Sequence, residues 1–160
     1  MDRRQLSEWR SEVIGSFIAI EQLLNCIISQ HYFNAIDRAF FLEVLFDEYF
    51  GFQMRRRILE KILPQDQRDV LQPLNRMATI RNYFGHCGLE VIEGGLPRPE
   101  ETGAILDPRH PAKPIDFASL FTEFKTLEER VVRPLTEFFV SKGGTCVLDG
   151  EGPVLKVRMK

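Results

Sequence analysis

Residues 5–32, QLSEWRSEVIGSFIAIEQLLNCIISQHY, decide the architecture. Trp9, Val13, Phe17, Ile20, Leu24, Ile27, Ile28 and His31 recur at three- and four-residue steps, the repeat that gathers side chains on one stripe of an α-helix. No proline interrupts the run, and its one glycine, Gly15, is a cost that so long a helix tolerates. The spacing predicts a single helix from about Gln5 to Tyr32, with an apolar face that further helices must cover.

Working outward, Asn34 is a break or cap before a second helix, about Ile36 to Tyr49, carrying Phe40, Phe41, Val44, Leu45 and Phe46. Gly51 marks the next joint. A third helix, about Phe52 to Leu63, is expected to turn Met54, Ile58, Leu59 and Ile62 inward, with Arg55, Arg56 and Arg57 partly outward; Pro64 stops it. Asp66 is a capping candidate for the following helix, where Pro73 implies a kink or a fresh start, and the pattern runs on to Phe84 or His86. From Gly88 to Pro114 glycines and prolines cluster and the apolar repeat stops, which predicts a loop of about 25 residues, a length often tied to function or mobility. Asp116 should cap a last helix, about Phe117 to Ser141, with Phe117, Leu120, Phe121, Phe124, Leu127, Val131, Leu135 and Phe138 inside and a kink at Pro134. In the tail, Thr145–Leu148 and Pro153–Arg158 flank Asp149-Gly150, a strong turn pair, so a terminal β-hairpin is expected. The chain thus divides into a helical domain over residues 1–142 and a hairpin tail over 143–160.

Composition narrows the function. At 160 residues the chain is one domain with room for a real core, and 44% hydrophobic with 28% charged residues describes a soluble globular protein. A net charge of −2 argues against coating nucleic acid by bulk electrostatics, so any such contact is local. Cys26, Cys87 and Cys146 are far apart and form no CxxC pair, which speaks against structural zinc, and no metal site is expected. No signal peptide opens the chain and charges interrupt its apolar runs, so a cytoplasmic protein with no membrane partner is the expectation.

The chemistry concentrates in Arg81-Asn82-Tyr83-Phe84-Gly85-His86, at the end of the fourth helical segment. Leu71, Leu74, Ala78 and Arg81 follow one another at helical steps, so Arg81 occupies an apolar position where a guanidinium needs a partner. Asn82 and His86, four apart, share one helix face. Gly85 is expected to let the backbone turn, bringing His86 toward Arg81. An arginine and a histidine meeting at one point can handle a phosphate.

These residues, with a long first helix and the run Ile20-Glu21-Gln22-Leu23-Leu24 within it, resemble the HEPN superfamily, whose signature is Arg-x4–6-His with a polar residue often directly after the arginine. The resemblance covers about residues 5–140 and implies an all-α, antiparallel bundle of four to five helices, the terminal hairpin lying outside it. It also implies a homodimer whose motif helices line one cleft, and a metal-independent endoribonuclease without cofactors, in a toxin–antitoxin or antiviral defence setting. The 2′-hydroxyl of RNA would attack the adjacent phosphorus, with His86 as general base or acid, Arg81 stabilising the phosphorane and Asn82 placing the phosphate or the histidine. An antitoxin or nucleotidyltransferase partner belongs to the same picture. HEPN toxins silenced by nucleotidylation, however, carry a tyrosine where this chain has Gly88.

Each feature also has a plainer reading. Arg81 is equally well a structural arginine pairing Glu21, which sits on a mostly apolar face; such a carboxylate would support the site by orienting the guanidinium. His86 is equally a basic residue at a helix C-terminus, where the macrodipole favours it. His31 reads as a surface or packing residue and His110 as a solvated loop residue near enough to reach a cleft. Arg55, Arg56 and Arg57 are a solvated helix face or a contact to the RNA backbone. Cys87 lacks the orienting partners of a cysteine nucleophile. The rival function is a non-catalytic HEPN-like module that binds a nucleotide or phosphate, or serves dimerisation, as a regulator or scaffold.

Overall fold

The computed structural model describes residues 3–86, 105–107, 110–145, 147–149 and 152–154, and these are predominantly helical. Helix α1 spans Arg3–Phe33 and is the axis of the molecule, packing on α2 (Phe52–Ile62), α3 (Leu71–His86) and α4 (Phe117–Ser141). Its stripe is buried as the spacing requires: Val13, Phe17, Ile20, Leu24, Ile27 and Ile28 are closed to solvent, whereas His31 at the end of the stripe is exposed. By length and apolarity alone α1 could cross a membrane; the core helix of a bundle passes the same test, and half of its most apolar window is buried inside this one.

Asn34 ends α1 in the left-handed conformation (φ 52°), its N–H donating to the Gln30 carbonyl at 2.9 Å. The second helical segment is shorter than the sequence suggests and of another kind: Phe40–Leu45 winds as a π-helix. Only Phe41 and Leu45 of it are buried; Val44 and Phe46 are exposed. Ser29 fixes its approach, accepting from the Asp37 N–H and donating to the Ala35 carbonyl.

In α2 the inward face is Phe52, Arg55 and Leu59, with Met54 exposed, so both the expected inward methionine and the expected outward Arg55 are corrected. The steps of three and four from Phe52 to Arg55 to Leu59 account for this, since three successive arginines fan across roughly 200° of helix and cannot share a face. A 3₁₀ turn, Gln65–Val70, follows Pro64; its N-cap is Pro64 and not Asp66. Helix α3 then starts afresh at Leu71, so Pro73 falls in its first turn, where N–H groups have no intrahelical partner to lose.

Asp116 caps α4 by accepting from the Ser119 N–H and hydroxyl, bonds that hold its carboxyl below the usual range. Helix α4 continues through Pro134 to Ser141 with its predicted inner face inward. Gly143 (φ 87°) closes it. The core joins Phe84 of α3 edge-on to Phe117 of α4, and Trp9 of α1 stacks on Phe121.

Part of the expected loop over 88–114 is ordered as strands: β1 (Ile105–Asp107) pairs antiparallel with β2 (His110–Ile115), placing Ile105 opposite Ile115. In the tail β3 (Val147–Asp149) pairs antiparallel with β4 (Gly152–Val154). The turn at Gly150, the rest of the tail, Cys87, Gly88 and Cys146 lie outside the described residues.

Candidate functional site

Helix α3 carries Arg81, Asn82 and His86 along its last two turns, and it runs antiparallel to α1. Arg81 sits above the Phe17 ring, its guanidinium carbon 4.9 Å from the ring centre, and is half-buried. Its charge is therefore held against an aromatic face, an electrostatic contact worth about 0.5–2 kcal/mol. Asn82 and His86 are exposed.

The expected partnership between Arg81 and Glu21 does not form. Glu21 instead faces Arg55, Oε1 to Nη1 at 3.8 Å. Arg55 Nε–H also donates to Asn25 Oδ1 at 2.7 Å, Nη2–H to the Leu45 carbonyl, and its guanidinium lies over the Phe50 ring. Burial lowers the Arg55 pKa and Glu21 partly offsets it. Arg55 is thus an internal tie between α1, α2 and the π-helical segment, not a surface cation for RNA. Arg56 is half-buried and reaches Glu60 at 3.9 Å, and Arg57 is exposed. His110 opens β2 opposite Asp107, apart in sequence from α3.

Gly85 is a second correction. It remains helical and α3 runs unbroken to His86, so the backbone makes no turn there. Five residues of continuous helix place His86 about 140° round the axis from Arg81. Within one chain the two side chains leave α3 in different directions. Asn82 and His86 keep the shared face their spacing predicts.

A residue that sequence reasoning passed over lies at the same place. Arg10 of α1 donates Nη2–H to the Gly85 carbonyl at 3.4 Å, against one of the last carbonyls of α3, where a cation is favoured. Only the register of α1 on α3 brings it there. Among the described residues no three histidine, cysteine or acidic side chains gather as a metal would need. Elsewhere, charge pairs are structural: Arg76 and Glu123 join α3 to α4 through two bonds of 2.7 Å, which hold the Glu123 carboxyl below its usual value. Burial pushes the Cys26 thiol up to about 12, an inert core residue.

Compared with protein families, curated proteins and solved structures, the chain matches none.

Proposed function

We propose that this chain is a HEPN-like helical bundle with a C-terminal hairpin, acting in the cytoplasm as a metal-independent endoribonuclease. Arg81 carries the reading. It stands at an apolar step of α3, half-buried over Phe17, while Glu21, the structural partner its sequence position suggests, is engaged by Arg55. A guanidinium so placed keeps its planar fork for a phosphate.

Because Arg81 and His86 diverge on one helix, the active arrangement is a homodimer, with α3 of two copies set side by side so that the arginine of one approaches the histidine of the other. His86 accepts the 2′-hydroxyl proton as the oxygen attacks phosphorus, and Arg81 neutralises the phosphorane. The 5′-oxygen leaves with a proton returned to it, giving a 2′,3′-cyclic phosphate and a 5′-hydroxyl. Asn82, on the face of His86, positions the phosphate. The setting is toxin–antitoxin or antiviral defence, with an antitoxin as the controlling partner.

The same divergence favours a second reading, a non-catalytic module that uses Arg81 to hold a nucleotide or phosphate and α3 to dimerise. Cleavage of total RNA and tRNA in EDTA separates the two. Cutting by the wild type that Arg81→Ala and His86→Ala both abolish, in folded proteins, supports the nuclease. No cutting by a folded wild-type dimer on any RNA leaves the binding module.

A further inference from the structure

The exposed apolar side chains of this bundle are not scattered. Tyr32 and Phe33 at the end of α1, and Leu42, Val44, Phe46 and Tyr49 in and after the π-helical segment, stand open to solvent, Tyr49 to 87%. Two ring contacts make them one region: Phe33 meets Phe40 with centroids 4.9 Å apart, and Phe41 meets Phe46 at 5.2 Å. Val140 of α4 is exposed at the same end, since Gln30 of α1 donates Nε2–H to the Lys142 carbonyl at 2.8 Å. Single exposed apolar residues need no explanation, but a cluster of them marks a surface that something covers.

The charges around it indicate the chemistry of the cover. Glu43, Asp47 and Glu48 are exposed between the apolar side chains, and among the described residues no cation pairs with any of them. Such a rim repels nucleic acid and anionic lipid and attracts a protein strip that is both apolar and cationic.

The chain carries a strip of that kind. Residues 155–160, Leu-Lys-Val-Arg-Met-Lys, alternate apolar and basic with no acidic residue, the period that sets the two kinds on opposite sides of an extended chain. These six lie outside the described residues, but the point from which they start is fixed. Helix α4 ends at Ser141, beside the last turn of α1, and β3 pairs with β4 so that Val154 stands opposite Val147. The hairpin thus returns the chain to where it left the bundle, and six further residues reach up to about 20 Å.

We propose that residues 155–160 dock on the acidic, apolar face at this end of their own chain. Leu155, Val157 and Met159 cover the exposed rings, and the long stems of Lys156, Arg158 and Lys160 carry their charges to Glu43, Asp47 and Glu48. Phe33 is about 24 Å along α1 from Phe17, where Arg81 rests, so this inference stands or falls independently of the RNA reading.

Trypsin tests it, because it cuts after Lys156 and Arg158. In the full chain under native conditions, cutting at those bonds, followed by mass spectrometry, should be about tenfold slower in the wild type than in Glu43→Gln/Asp47→Asn/Glu48→Gln, which removes the rim without adding a cleavage site. Tyr49→Ser, at a side chain too exposed to affect folding, should speed cutting as well, and circular dichroism checks that each variant is folded. Salt should accelerate cutting of the wild type toward the rate of the triple variant. If either variant is cut at the wild-type rate, the inference is overturned. Sedimentation then identifies the occupant: a wild-type dimer that Tyr49→Ser dissociates puts a second copy on the face, and any other result leaves the face to a foreign basic segment. Protection that fades on dilution, as such a dimer separates, also overturns it, because the strip then comes from the second copy.

Discussion

Arg55 and Asn25 are joined across the α1–α2 interface by a 2.7 Å hydrogen bond, with both side chains closed to solvent. The same guanidinium satisfies the Leu45 carbonyl at the end of the π-helical segment and faces Glu21. Arg55→Ala leaves an amide, a carbonyl and a carboxylate without their cation, and breaking such a buried arrangement costs about 3–5 kcal/mol. Urea denaturation should show that loss, whereas Arg57→Ala, on the exposed face of the same helix, should stay within about 0.5 kcal/mol of wild type. Equal effects of the two would show that the Arg55 network is not a stability element.

Arg81 predicts the opposite balance. Its contact with Phe17 is worth about 1 kcal/mol, so Arg81→Ala should lower the thermal midpoint only slightly. RNA cleavage or phosphate binding should nevertheless be lost. A large fall in stability with unchanged activity would make Arg81 a structural residue.

Gly85 lies within α3, and a β-carbon built there meets nothing within 4 Å. Packing gives no reason for glycine, and Gly85→Ala should stabilise the protein by about 1 kcal/mol in chemical denaturation. A loss of stability instead would mean that the end of α3 is not helical in solution.

The Arg76–Glu123 bridge makes a pH prediction. Glu123 titrates below its ordinary 4.5 in the folded protein because Arg76 bonds to its charged form. The native state therefore binds fewer protons than the unfolded chain through that range. The stabilisation is complete above about 4.5 and disappears as pH falls through the lower, folded value. Wild type should be more stable than Glu123→Gln at neutral pH, and the two denaturation curves should converge in acid. A difference that persists in strong acid would assign the effect to packing.

Much of the frame follows from local pattern. The stripe of α1, the Asp116 cap and the inner face of α4 from Phe117 to Phe138 are each specified by residues within a few turns, because a 3.6-residue repeat and a capping carboxylate act over short stretches of chain. Arg55 was legible in the same way, from its steps to Phe52 and Leu59, but a run of three arginines reads at first as a solvated face. The π-helical winding of Phe40–Leu45 has no such signature.

Tertiary structure alone decided the partners. Glu21 has arginines at positions 55 and 81 within the same chain, and nothing in their spacing distinguishes them; the packing of α2 on α1 gives the carboxylate to Arg55 and leaves Arg81 on Phe17. The register of α1 against α3 likewise brings Arg10 to Gly85, 75 residues away in sequence. Helices are short-range objects written in short-range repeats, whereas the pairing of charges between them depends on how whole faces dock. A half-turn of rotation in α2 or α3 would exchange one arginine for another without changing a single local preference.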